Sequence, residues 1–162
     1  MKKTILISIL TFFVLVVSCG SSGHGDVDKV AGNWTGTTPI ELPGFGVAQS
    51  GTNLTFDKDG RYEMQQVVRT GLGFDITMSV EGEYAVEGNT VKVTMERDGT
   101  KINIPRGIFP SDQDYENGLE EMYKDVFGTN STHVEMLEIV TGNGNEAVLK
   151  DAQGTIFHKV EL

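Results

Sequence analysis

The feature that most limits what this chain can fold into is a period of two in its apolar residues, broken at short intervals by turn-forming residues. Phe74, Ile76, Met78, Val80 and Tyr84 share one parity, while Asp75, Thr77, Ser79, Glu81 and Glu83 occupy the other. Successive side chains of a strand point to opposite faces, so this run reads as an antiparallel strand with one buried and one wet face. Tyr62, Met64, Gln66 and Val68 form a second inner row, opposed by Arg61, Glu63, Gln65 and Arg69. Shorter inner rows are read at Leu54 and Phe56, at Val91, Val93 and Met95, at Ile102 and Ile104, and at Ile156, His158 and Val160. Between the rows, FDKDGRY, VEGNTV, RDGT, TGNGNE and KDAQGT place Gly or Asn where tight turns need positive φ.

The spacing predicts a meander of eight or nine strands. In THVEMLEIVT the parity changes, with Val134 and Met136 on one side and Leu137 and Ile139 on the other, which predicts a bulge or a strand buried on both faces. A meander of this length removes its exposed edges by closing on itself. The expected fold is therefore all-β, an antiparallel up-and-down barrel of about eight strands, with an open sandwich as the alternative.

One segment departs from the period of two. In PSDQDYENGLEEMYKDVFG, Tyr115, Leu119, Met122, Tyr123 and Val126 recur at helical spacing, bordered by Phe127. Ser111 is a suitable N-cap with Asp114 three residues on, Asp112 and Glu116 suit the positive first turn, and Gly128 supplies a stop. A helix over about 112–127 follows. Its apolar stripe must be covered, and the charged outer faces of the strands offer little to cover it, so it is expected to cap a barrel end as a lid.

Met1, Lys2 and Lys3 precede an uncharged run from Ile5 to Val17, shorter than the roughly 20 residues of a membrane-spanning helix and suited to a signal peptide. Val16, Val17 and Ser18 stand before Cys19, the only cysteine, and this junction resembles the lipobox of bacterial lipoproteins. The resemblance implies cleavage before Cys19 and its modification by lipid, with acyl chains such as palmitate anchoring the chain to a membrane. Residues 1–18 are then a signal peptide, 19–29 the lipidated cysteine with a flexible tether, and 30–162 the folded domain. Gly20, where an aspartate would signal inner-membrane retention in enterobacterial lipoproteins, favours the outer membrane. Loss of Lys2 and Lys3 takes the formal charge from −10 to −12, a surface that repels nucleic acid and anionic headgroups.

VAGNWTGT, LTFDKDGRYEM, GEYAVEGNTVKV and a last strand after DAQGT resemble, in pattern and order, the lipocalin-like domains of Gram-negative envelope lipoproteins. Trp34, in a Gly-x-Trp at the first strand, is by that resemblance packed across the closed end of the barrel, with a cavity opening at the other. Lipocalins commonly lay an arginine over this tryptophan from near the last strand; here the last strand offers His158 and Lys159.

The sequence holds no Gly-x-Ser-x-Gly, HExxH or phosphate loop, and His24, His133 and His158 are scattered, so no enzyme, cofactor or metal is expected. Asp57, Asp59 and Gly60 resemble the opening of a calcium loop, but the glycine comes too early and a hairpin turn accounts for them. The inner rows carry methionines, whose thioethers adapt to irregular apolar shapes. Tyr62, Met64, Gln66, Phe74, Met78, Met95, Met136 and His158 are the expected lining of a ligand cavity, with Tyr115, Leu119, Met122 and Val126 as the lid. These features suggest an anchored binding protein for a small apolar or amphipathic ligand. A filled barrel acting as an inhibitor or accessory subunit on an envelope protein partner is the alternative.

The anchor is directly testable. Mass spectrometry of the mature N-terminus from a Gram-negative host is expected to show cleavage before Cys19 with added acyl mass, and Cys19→Ser is expected to accumulate uncleaved precursor. An unmodified thiol, or cleavage elsewhere, contradicts the assignment.

Overall fold

The computed structural model describes residues 27–42, 46–71, 73–141 and 146–160. The expected signal peptide, Cys19 and His24 lie outside the described residues, as do residues 142–145 of the expected TGNGNE turn. A helical turn, α1 (Val27–Val30), leads into β1 (Gly32–Leu42), β2 (Gly46–Phe56), β3 (Arg61–Arg69), β4 (Asp75–Glu87) and β5 (Thr90–Asn103). A 3-10 turn (Arg106–Ile108) and α2 (Asp112–Phe127) follow, then β6 (Thr132–Thr141), β7 (Ala147–Lys150) and β8 (Ile156–Val160). Each strand pairs antiparallel with the next, and β8 pairs back onto β1, closing an eight-stranded barrel. The open sandwich is thereby excluded. Val30, at the end of α1, is buried.

The base of the barrel is built on Trp34, 1% exposed, whose indole Nε1 donates to the Val30 carbonyl at 2.7 Å. Lys159 Nζ lies 5.5 Å from the center of the Trp34 ring, a cation held over its face. Leu54, Phe56, Tyr62, Tyr84, Val91, Val93 and Phe157 pack into the same cluster. Gly36 sits opposite Phe157 in the β1–β8 register, and a Cβ there would lie 2.6 Å from the ring's Cδ1. The missing side chain makes room for the phenylalanine.

The inner row of β8 is thus Phe157 with its neighbours, whereas Ile156, His158 and Val160 face outward and are exposed, which reverses the expected parity. An apolar count alone selects Ile156 and Val160, because the inner row at this end consists of one phenylalanine and a lysine reaching over Trp34. In β6 neither a bulge nor two-sided burial occurs. Its register with β5 is continuous from Thr132 to Glu138, Val134 and Met136 face outward at 40% and 45% exposure, and Leu137 is buried inside.

The irregularity lies in β5. From the Gly82–Met95 pair to the Val80–Thr100 pair, β4 advances two residues while β5 advances five. The odd excess inverts the inner parity from Val91, Val93 and Met95 to Thr100, Ile102 and Ile104, all buried. RDGT is therefore a bulge within one long strand, closed by the Thr100 hydroxyl donating to the Glu96 carbonyl at 2.9 Å, and the strand count is eight.

Two hairpins share one local solution. Asp57 Oδ1 accepts from Asp59 N and Arg61 N, and Asp151 Oδ1 accepts from Gln153 N and Thr155 N, all within 2.8–2.9 Å. Gly60 and Gly154, at φ 85° and 88°, occupy the same left-handed position of each turn. The aspartate that resembled a calcium ligand is engaged by the backbone of its own hairpin.

Trp34→Ala removes the largest side chain of the base together with its hydrogen bond. It is expected to lower unfolding free energy by about 3–5 kcal/mol, measured by denaturant melts against wild type. A loss under about 1 kcal/mol would contradict the role given to the ring.

Candidate functional site

Helix α2 begins and ends where the sequence places it. The Ser111 hydroxyl accepts from Asp114 N at 3.2 Å, and Gly128 forms the C-cap at φ 62°. Its stripe lies against the inner-facing residues of the barrel end away from Trp34. Tyr115, Leu119, Met122 and Tyr123 pack on a cluster of Ala48, Val68, Ile76, Ile102 and Ile104. The helix therefore caps the barrel rather than covering its outer wall.

The β5 bulge is its mount. The Tyr123 hydroxyl donates to the Thr100 carbonyl at 2.9 Å, Arg97 pairs with Glu120 at 2.8 Å, and the Arg97 guanidinium lies 5.3 Å from the center of the Tyr123 ring. At the other end Phe109 meets Tyr115 edge-on at 5.6 Å and fills the space left by Gly118. The connecting segment is thus packed onto the helix at Phe109.

Between the base and this cap lie two adjoining cavities. One, of about 50 Å³, is lined by Val68, Ile76 and Ile102 below and by Met122, Asp125 and Val126 of α2. The other, of about 80 Å³, is lined by Tyr62, Met64, Met95, Leu54, Leu137 and Phe157, with His133 and Glu135 of β6 and Asp151 and Gln153 of the β7–β8 turn. Gln66, Met78 and Val126 line both. A cavity of about 150 Å³ admits a benzene-sized guest, and each of these is smaller, so a guest of that size would have to span both or displace α2.

Five of the eight expected lining residues, Tyr62, Met64, Gln66, Met78 and Met95, come together here. Phe74 instead packs in the capped cluster under α2. Met136 and His158 face away from the interior, so neither lines it: Met136 stands beside Lys92 on the outer wall, and His158 stands between Thr35 and Val148. Of the expected lid residues, Met122 and Val126 reach the cavities, while Tyr115 and Leu119 hold the cap to the rim. Gln66 donates from Nε2 to the Ser50 hydroxyl at 2.9 Å, which fixes its orientation at the junction of the two cavities.

Sequence reasoning did not find the polar corner formed by His133, Glu135, Asp151 and Gln153. Stepping back by two from Leu137 gives Glu135 and His133, and that was the available signal. Glu135 is half-buried in the cavity wall, and desolvation first, then the Asp151 carboxylate, raises its pKa from the ordinary 4.5 to about 7. Tyr62 is raised well above 10 by burial and secondly by Glu135, while burial lowers His133. No lysine or arginine lines either cavity.

A carboxyl with a raised folded pKa stabilises the folded state below its unfolded value, and that contribution is lost as pH rises through the folded value. Glu135 therefore weakens the fold progressively between about pH 4.5 and 7. Glu135→Gln is expected to gain up to about 3 kcal/mol over wild type at pH 8 and close to nothing at pH 4, read from paired denaturant melts. His133 acts in the opposite direction, losing stability as pH falls below 6.5, but it is present in both proteins and cancels in the difference. Equal gains at both pH values would contradict the buried ionisation.

No protein-family model matches the chain, and no curated protein matches its sequence.

Proposed function

We propose that this chain is a lipid-anchored cell-envelope binding protein that holds a small apolar or amphipathic molecule in the barrel beneath α2. The observation that carries the reading is the pair of adjoining cavities under a helical cap, lined by Met64, Met78, Met95 and Met122. Well-packed interiors leave few voids larger than a water molecule, and unbranched thioethers can rearrange around a guest. The closed eight-stranded barrel, the buried Trp34 at its base and the cation over that ring support the resemblance to lipocalin-like envelope domains. A guest longer than a few carbons requires α2 to shift.

One observation favours the alternative, a protein-interaction module. Val134 and Met136 on β6, with Ile156 and Val160 on β8, face outward at 40–47% exposure. Scattered apolar residues on a surface are common, however, whereas the capped voids bear on a ligand directly. The alternation elsewhere is apolar inside and polar outside, the reverse of a lipid-facing barrel.

Leu119 holds the cap without lining either cavity. Leu119→Asp is expected to loosen α2 and to change the uptake of an apolar fluorescent probe at least several-fold, with far-ultraviolet circular dichroism largely retained. Native mass spectrometry of gently purified protein is expected to show a retained small molecule. Unchanged probe uptake by the folded variant, with no retained mass, would favour the protein-partner reading.

A further inference from the structure

The cavity wall is not uniformly apolar, and its polar part has one sign. Glu135 reaches the 80 Å³ cavity from β6, and Asp151 lines it from the β7–β8 turn. Asp151 Oδ1 is taken up by the backbone N–H groups of Gln153 and Thr155. The Glu135 carboxylate has no such engagement: no described residue donates a hydrogen bond to it and no cation pairs with it. The other titratable groups facing the cavities are Tyr62 from β3, His133 from β6 and Asp125 from α2, none of them a fixed cation. The half-buried Glu135 carboxylate therefore faces the cavity with no counter-charge among the described residues, and a ligand bringing a positive charge and N–H donors would supply one.

We propose that Glu135 is the headgroup anchor for a small primary ammonium ligand, whose short aliphatic tail lies among Met64, Met78 and Val126 beneath α2. The inference rests on the binding reading above and narrows it to one charge class. Asp151 adds a second negative charge to the headgroup position, Gln153 and the Tyr62 hydroxyl add polar lining, and the methionines accept the tail. An anionic amphiphile such as a fatty acid is excluded from this corner by Glu135 and Asp151. The protonation of Glu135 is tied to binding: ammonium binding favours the carboxylate, so affinity falls as the pH drops below about 7.

The test uses three probes of equal chain length, n-butylammonium, n-butanol and butyrate, titrated into the purified protein by calorimetry and ligand-observed NMR. Butylammonium is expected to bind at least tenfold more tightly than butanol, to be displaced by butanol, and to weaken several-fold from pH 7.5 to 6. Butyrate is expected not to bind. Glu135→Gln is expected to reduce butylammonium affinity at least tenfold while leaving butanol within twofold. If butanol binds but butylammonium gains nothing over it, or if Glu135→Gln leaves the ammonium unaffected, the anchor is overturned and the apolar pocket stands. If butyrate binds as well as butylammonium, the charge selectivity is overturned. If none of the three binds, the cavity reading falls together with the anchor. The pH dependence in wild type decides the question even where the variant folds poorly, because a flat profile between pH 6 and 7.5 overturns the proposal.

Discussion

Closure of the sheet between β1 and β8 is the constraint on which the rest depends. The seam runs only from Asn33–Val160 to Gly36–Phe157, whereas β1 and β2 pair along their whole length. It holds because the side chains at the seam are specialised. Trp34 is fastened to the Val30 carbonyl, Lys159 lies over its ring, and Phe157 occupies the space of an absent side chain at Gly36. Further up, the Thr38 and Thr155 hydroxyls join at 2.7 Å and tie β1 to the turn before β8. With β7 and β8 so short, β6 pairs with β7 only from Glu138 onward. The first half of β6, carrying His133 and Glu135, pairs with β5 on one edge only, and it lines the cavity together with Asp151 and Gln153 of the β7–β8 turn. The polar corner follows from the short wall.

The same geometry explains why the cap is needed and how it is held. Strands β2 to β5 carry apolar residues to the far rim at Ala48, Val68, Ile76, Ile102 and Ile104, and without a cover this rim would be a wet apolar patch. Helix α2 supplies the cover, and the three extra residues of β5 supply its attachment through Thr100 and Arg97. The Arg97–Glu120 pair is half exposed and adds little by itself, but the Tyr123 hydroxyl bond to the Thr100 carbonyl fixes the helix to the strand beside it.

The fold was legible where inner rows are mainly apolar. Rows beginning at Leu54, Tyr62, Phe74 and Val91 keep a period of two and face inward as read, with Gln66, Phe74 and Met78 half-buried and the other apolar members buried. The helix was legible to its caps, because Ser111, Asp114 and Gly128 act through local hydrogen bonds that depend on no distant residue. Parity failed where the interior is polar or specialised: at β8, where Phe157 and Lys159 serve the tryptophan, and at β6, where Glu135 and His133 face a cavity. A rule that places apolar residues inside then selects the outer face. RDGT was misread for a different reason, since a turn and a bulge ask for the same residues and only the partner strand distinguishes them.

The residues that break the inner alternation are therefore also those that give the interior its character. A barrel selected for stability alone would fill the position of Glu135 with leucine, extending the Leu137 and Ile139 row. Retaining a carboxyl there raises its pKa to about 7 and weakens the fold at neutral pH. Local departures of this kind, destabilising yet surrounded by an otherwise consistent core, are where function is expected in a folded domain. The departure coincides with the adaptable methionines and with the one described helix longer than a single turn that covers an opening. Charge, shape and access thus converge on one corner of the barrel.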